Sequence, residues 1–239
     1  MTCDKAKRYI TQPNRLALLS FLCAGLAVQI ITYVLTPATP LSLISGMLGI
    51  CAVVLGSQGN ILTFFFGFGQ TVTYTCLCYF ERFYAGIAMN IFYFVTQIYG
   101  IYSWRKRLMY RAPTDSMDNS APRKSRTIIY TRRLSVKTFL FLSLIVIILS
   151  LFVGWLLSTY TDDTQPYLDA FTTVPAIAAQ ILMILAYREQ WYIWLFIDLL
   201  YVVLWLRAED YCLTAQYLFW CINCVYGYVQ WTKNIPRNE

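Results

Sequence analysis

Histidine is missing from all 239 residues, and charged side chains make up only 13% of them. The first absence removes the side chain that most readily titrates near neutral pH and most often binds metal. The second removes a water-soluble surface, since a soluble domain carries about 25% charged residues. Basic residues still outnumber acids, giving a formal net charge of +7. They sit between or outside the apolar stretches rather than along one face, so no nucleic-acid partner is expected. A Walker phosphate loop is also missing, and with it the usual sign of ATP-driven work. Eight cysteines are present. Cys221-x-x-Cys224 and Cys76-x-Cys78 lie in apolar sequence, where free buried thiols are the common state. Without histidine a zinc site would need thiolates alone, so neither a metal nor a cofactor is expected.

What the chain has instead is apolar sequence in long blocks, with 58% hydrophobic residues overall. Eight runs stand out: 16–35, 41–57, 60–80, 84–104, 136–157, 167–186, 190–206 and 212–231. A helix needs about 20 mostly apolar residues to cross a bilayer, within a range of roughly 17–25, and each run meets that length. None has the ten-residue alternation of a barrel strand. The first run follows Lys5, Lys7, Arg8 and Arg15. Its core is long and no small-x-small cleavage site follows, so it reads as a retained helix rather than a signal peptide. Segment 41–57 is short and rich in Gly and Ser, which keeps seven crossings plus one shallow helix open. The fold class is all-α: a polytopic helical membrane protein of about eight transmembrane helices.

Charge sets the orientation. Segment 105–135 alone holds nine basic residues, Arg105, Lys106, Arg107, Arg111, Arg123, Lys124, Arg126, Arg132 and Arg133. The opposite side carries Arg82 and Arg207 with Asp162 and Asp163. Short basic loops stay cytoplasmic, so both termini are expected inside, in the inner membrane of a bacterium. The same segment is the polar, Pro- and Ser-containing linker that divides the chain in two.

The halves look related. Shifted by 127 residues, Tyr84 falls on Tyr211, Ala88 on Ala215, Tyr99 on Tyr226, Gly100 on Gly227 and Trp104 on Trp231. Four helices separate the copies, so both run the same way through the membrane. Parallel repeats of this kind are a carrier's signature, with the substrate held near the midplane between them. Equivalent Trp positions also suit interfacial anchors at matching depths.

Polar side chains inside the apolar runs are the candidate site. Asn90 and Gln97 lie two turns apart on one face, with Tyr93 between them. Trp191, Trp194 and Asp198 follow at i, i+3 and i+7 in 190–206, while Gln216, Trp220 and Asn223 share a face in 212–231. Asp198 is the acid placed deep inside a run, where an ionisable group is costly and usually faces a cavity or a partner. Amides such as Asn90, Gln97 and Asn223 can equally join helices to one another. Aromatic faces stack on flat rings and attract cations. A carboxylate complements one positive charge, and amides both donate and accept. The lining therefore suits a flat, polar molecule, neutral or cationic. Acid–base chemistry could come only from Asp198 and the edge residues Glu81, Asp169 and Glu189, with no nucleophile–base pair, so an intramembrane enzyme is disfavoured. A ligand-sensing receptor lacks an attached signalling domain.

The run from Asn90 to Gly100 (Asn-Ile-Phe-Tyr-Phe-Val-Thr-Gln-Ile-Tyr-Gly), the Trp-x-x-Trp of Trp191 and Trp194, and the closing Tyr226-Gly227-x-x-x-Trp231 resemble the PnuC vitamin transporters. The likeness spans about 40 to 231. It implies two parallel three-helix units joined by a linker helix, an arrangement related to the SWEET sugar transporters. On this chain the units would be 36–104 and 158–231, with linker helix 136–157, basic loop 105–135 and tail 232–239. Residues 1–35 would form an N-terminal tail and additional helix. The resemblance further implies transport of nicotinamide riboside by facilitated diffusion (thiamine or riboflavin in close relatives). It suggests a trimer, and a cytoplasmic kinase that traps the product without binding the carrier. By resemblance and lining together, the substrate residues would be Asn90, Tyr93, Gln97, Trp191, Trp194, Asp198, Gln216, Asn223 and Tyr226.

Overall fold

In the computed structural model, residues 15–35, 39–80, 84–110, 129–162, 165–207, 209 and 211–235 are described. The terminal tails, segment 111–128 of the basic loop, and Glu81, Arg82 and Asp163 lie outside them. Eight helices follow in order: α1 Arg15–Leu35, α2 Pro40–Ser57, α3 Leu62–Phe80, α4 Tyr84–Tyr110, α5 Val136–Tyr160, α6 Pro166–Ile184, α7 Gln190–Arg207 and α8 Tyr211–Lys233. Local chemistry sets several of the ends. Thr39 caps α2 by accepting from the Ser42 amide at 3.2 Å, with Pro40 opening the first turn. Ser135 caps α5 in the same way at 3.1 Å from Thr138. Both caps satisfy an amide that the helix itself leaves unpaired. α4 runs on to Tyr110, past the apolar stretch that ends at 104 and into the basic segment.

Five helices, α1, α2, α5, α6 and α7, are long and apolar enough to cross a bilayer. α3, α4 and α8 are 19, 27 and 23 residues long but more polar. α3 shows how such polarity is carried in lipid: Thr71, Thr73 and Thr75 each donate to the carbonyl one turn back, on Gly67, Gly69 and Thr71. A hydroxyl satisfied by its own helix needs no water. α5 presents Leu140, Phe141, Leu144, Ile148 and Phe152 outward, as a lipid-facing helix must, and buries Ser150 and Gly154.

Packing repeats along the chain. α3 contacts both α2 and α4; α7 contacts both α6 and α8. Across the bundle α2 meets α8 and α4 meets α6. α1 lies over the α2–α8 seam, where Phe21 stacks on Phe219 at 4.9 Å. A shift of 127 residues carries α2, α3 and the start of α4 onto α6, α7 and the start of α8 to within one residue. Matched side chains do matched jobs. Phe64 occupies the space left by Gly100, and Trp191, its equivalent, occupies that left by Gly227. Each ring then meets the last tryptophan of its own set edge-on: Phe64 with Trp104 at 4.7 Å, Trp191 with Trp231 at 5.8 Å. The turns after α2 and α6 match too, with Gly59 at φ 68° and Ala186 at φ 62°.

These close approaches make a test. A methyl at Gly227 would lie 2.6 Å from the Trp191 ring, and one at Gly100 would enter the Phe64 ring, whereas one at Gly49 stays 3.5 Å from Gln70. Overpacking of this kind costs about 1–3 kcal/mol. Gly100→Ala and Gly227→Ala should lower the thermal unfolding midpoint in detergent, while Gly49→Ala leaves it near wild type.

Candidate functional site

The expected polar residues fall into two groups. In the first, α4 meets α3. Asn90 is buried and donates to the Cys78 sulfur at 3.7 Å. The Gln97 amide lies directly over Gly67, where any Cβ would overlap it. Glycine at 67 is thus what lets a long amide lie flat between the two helices. Tyr93, half-buried, stands between Asn90 and Gln97 on the same helix. Thr96 accepts from Gln180 of α6 at 3.3 Å, so this group also touches the second helix set.

In the second group, α7 meets α8. The Asp198 carboxylate accepts from the Cys224 thiol at 3.3 Å, and both residues are buried. Trp194 packs against the cluster that holds Trp191 and Cys224. Asn223 is fully buried, and neither its amide nitrogen nor its oxygen meets a partner among the described residues. The same holds for both amide atoms of Gln190 and for the Trp191 indole nitrogen. An unpaired buried polar group costs about 1–3 kcal/mol. Three such side chains within two successive residues of α7 and the facing stretch of α8 mark a place that tolerates polarity for another reason. Gln216, half-buried, lies two turns from Asn223 toward the far end of α8.

Tyr226 stands apart from both groups. Its hydroxyl accepts from Gln58 at 2.8 Å, and its ring lies 5.3 Å from Phe21 of α1. It joins the turn after α2 to α8 at the basic end of the bundle, the end where α2, α4, α6 and α8 finish. That end is closed by reciprocal bonds. The Trp104 indole donates to the Ile184 carbonyl at 3.2 Å, and the Trp231 indole to the Gly56 carbonyl at 2.9 Å. Both indoles are fully buried, with centroids 6.0 Å apart.

Sequence reasoning missed Gln58, Gln180, Gln190 and Cys224. Gln180 had a signal, as a lone amide inside the apolar α6. Gln190 sits at the boundary of its run, where an amide reads as a loop residue. Cys224 counts as apolar until Asp198 is placed beside it.

Among the described residues the buried acids are Glu189, which is paired with the largely buried Arg188 at 3.1 Å, and Asp198, whose partner is a thiol. The chemistry on offer is aromatic surface, amides and one carboxylate, without a cation for an anionic ligand.

Comparisons with known proteins agree on one family. Residues 39–233 match the model of the nicotinamide mononucleotide transporter family. A protein named nicotinamide riboside transporter PnuC from Haemophilus influenzae is 34% identical over 213 residues, covering 88% of this chain and 87% of its own length. The protein of the same name from Neisseria mucosa is 29% identical over 222 residues, covering 90% of this chain and 80% of its own length. A crystal structure described as the vitamin B3 transporter PnuC superposes with a TM-score of 0.72 at 27% identity, over 93% of both chains. The chain belongs to the nicotinamide mononucleotide transporter family and is a membrane transporter, not an enzyme.

Proposed function

We propose that this protein carries nicotinamide riboside across the bacterial inner membrane, by facilitated diffusion with alternating access. The buried carboxylate of Asp198 beside Trp194 carries the reading. Nicotinamide riboside is a flat aromatic cation bearing hydroxyls and a carboxamide. A carboxylate attracts its ring charge, indoles stack on its face, and amides pair with its polar groups. A phosphorylated nucleotide would bring negative charge beside the Asp198 side chain, with no fully buried lysine or arginine among the described residues to meet it. The relatives' names support the riboside over the nucleotide in the same sense.

In this reading α2–α4 and α6–α8 are two parallel units, α5 is the linker and α1 the additional helix. Asn90 and Gln97 serve from the first unit, and Trp191, Trp194, Asp198 and Asn223 from the second. Tyr93, Gln216 and Tyr226 border the path. The basic end faces the cytoplasm, supported by Arg105, Lys106, Arg132, Arg133, Arg188 and Lys233 gathered there. A trimeric assembly and a cytoplasmic kinase acting on the released product rest on the resemblance alone.

These outcomes are expected. Trp194→Ala should weaken nicotinamide riboside binding by about 1–2 kcal/mol, roughly five- to thirty-fold, and Gln97→Ala should weaken it without unfolding the protein. Calorimetry on monodisperse protein reads both; wild-type affinity in the two variants together removes these residues from the site. Asp198→Asn should lose the cationic riboside in preference to a neutral analogue in the same assay. Uptake into vesicles should follow the substrate gradient and survive an uncoupler. Collapse of uptake on dissipating the ion gradient would overturn the uncoupled mechanism. Competition by thiamine and riboflavin reports the ring preference.

A further inference from the structure

We propose that Cys224 is a positioning residue for the substrate: its thiol holds one oxygen of the Asp198 carboxylate and so turns the other toward the cationic ring. The reason lies in three positions where the halves of the chain differ. A shift of 127 residues pairs Gly67 with Trp194, Thr71 with Asp198 and Gln97 with Cys224. In the first set the large side chain is Gln97 on the last helix, lying over Gly67, where any Cβ would overlap its amide. In the second set the large side chain is Trp194 on the middle helix, packed against the cluster that contains Cys224. The bulk thus sits on opposite helices in the two sets, and position 224 is left to a small side chain.

Size alone would admit alanine there, so polarity decides. Thr71 donates its hydroxyl to the Gly67 carbonyl of its own helix at 2.8 Å. At the equivalent place in α7 a carboxylate can only accept, so its own helix cannot satisfy it in that way. The donor comes instead from α8, where the Cys224 thiol reaches the Asp198 Oδ2 at 3.3 Å. Both side chains are buried, Asp198 at 5% exposure and Cys224 at 4%. A carboxyl group inside a bilayer bundle turns toward whatever polar partner it finds, so a single fixed contact sets its direction. A thiol is a weak donor. It directs the carboxylate while leaving most of the negative charge to attract a cation at Oδ1. Cys224 touches no substrate and acts through Asp198, a role that rests on the carboxylate being the group that attracts the ring charge.

Infrared spectroscopy of the whole protein in nanodiscs tests the contact without any ligand. The S–H stretch absorbs where other protein groups do not, and the difference between wild type and Cys224→Ala isolates the band of this thiol. That band should move in Asp198→Asn, where a weaker acceptor replaces the carboxylate. A band that stays in place overturns the proposal. Calorimetry on monodisperse protein then tests the role. Cys224→Ala should weaken nicotinamide riboside binding about fivefold, leave a neutral analogue bound as in wild type, and be rescued by Cys224→Ser, which keeps a donor of similar size. On the Asp198→Asn background, Cys224→Ala should add no further loss, because a residue that acts through the carboxylate has nothing left to position. Wild-type riboside affinity in Cys224→Ala overturns the proposal. So does an equal loss for both ligands, a Cys224→Ser protein as weak as Cys224→Ala, or a full additional loss in the double variant, each of which marks a packing role. Wild-type riboside affinity in Asp198→Asn itself fails differently: it removes the carboxylate from the site, and the positioning role falls with it.

Discussion

The two sets of helices are held at one end by a crossed pair of indole–carbonyl bonds. The last tryptophan of each set donates to a carbonyl at the C-terminus of the other set's first helix. Helix ends leave carbonyls without partners, and inside a bilayer there is no water to supply them. Each indole satisfies its own buried N–H on a helix-end carbonyl, which it shares with the Gly59 amide at Gly56 and with the Ser103 hydroxyl at Ile184. Because donor and acceptor belong to different sets, the bonds also fix how close the sets come. Phe64 and Trp191 then pack edge-on beneath the indoles, over glycines that leave room for them. Much of the closed end follows from these contacts.

Above that end the two sets stop matching, and the candidate site residues lie in the mismatch. Gly67 in the first set corresponds to Trp194 in the second, Thr71 to Asp198, and Gln97 to Cys224. One side thus contributes an amide laid over a glycine, the other an indole and a carboxylate held by a thiol. A ligand with a cationic ring on one side and hydroxyls on the other has chemically distinct ends, and so does this lining. The unpaired amides of Asn223 and Gln190 lie where the second set supplies most of the polarity. Amides of that kind are costly in a static core and useful wherever the interior has to rearrange.

Much of this was legible in the sequence, because lipid makes the code simple. The eight runs, the 127-residue shift and the buried acid follow from length, spacing and charge alone, and the helices fall where the runs do. The pairing of Asp198 with Cys224 was not legible, since a thiol in an apolar helix looks like any small hydrophobe. The short segment before α5 was hidden for another reason. Ile129 and Thr131 sit in a segment whose basic composition reads as a loop, and their burial depends on turn carbonyls far away in the chain. Tyr226 has the motif of a site residue, yet its hydroxyl is committed to Gln58. Spacing gives the face on which a side chain lies, but not which neighbour reaches it first.

The reciprocity of the tryptophan bonds bears on ancestry. Each half of the chain carries the donor that the other half needs, so two identical three-helix pieces side by side would already satisfy one another. Such a pair would be symmetric, and any residue chosen for one wall would appear on the opposite wall as well. A single polypeptide carries no such restriction. An indole and a carboxylate could then arise on one wall while glycine and threonine stayed on the other. A lining lopsided in this way is open to a single polypeptide and closed to a symmetric pair of identical pieces.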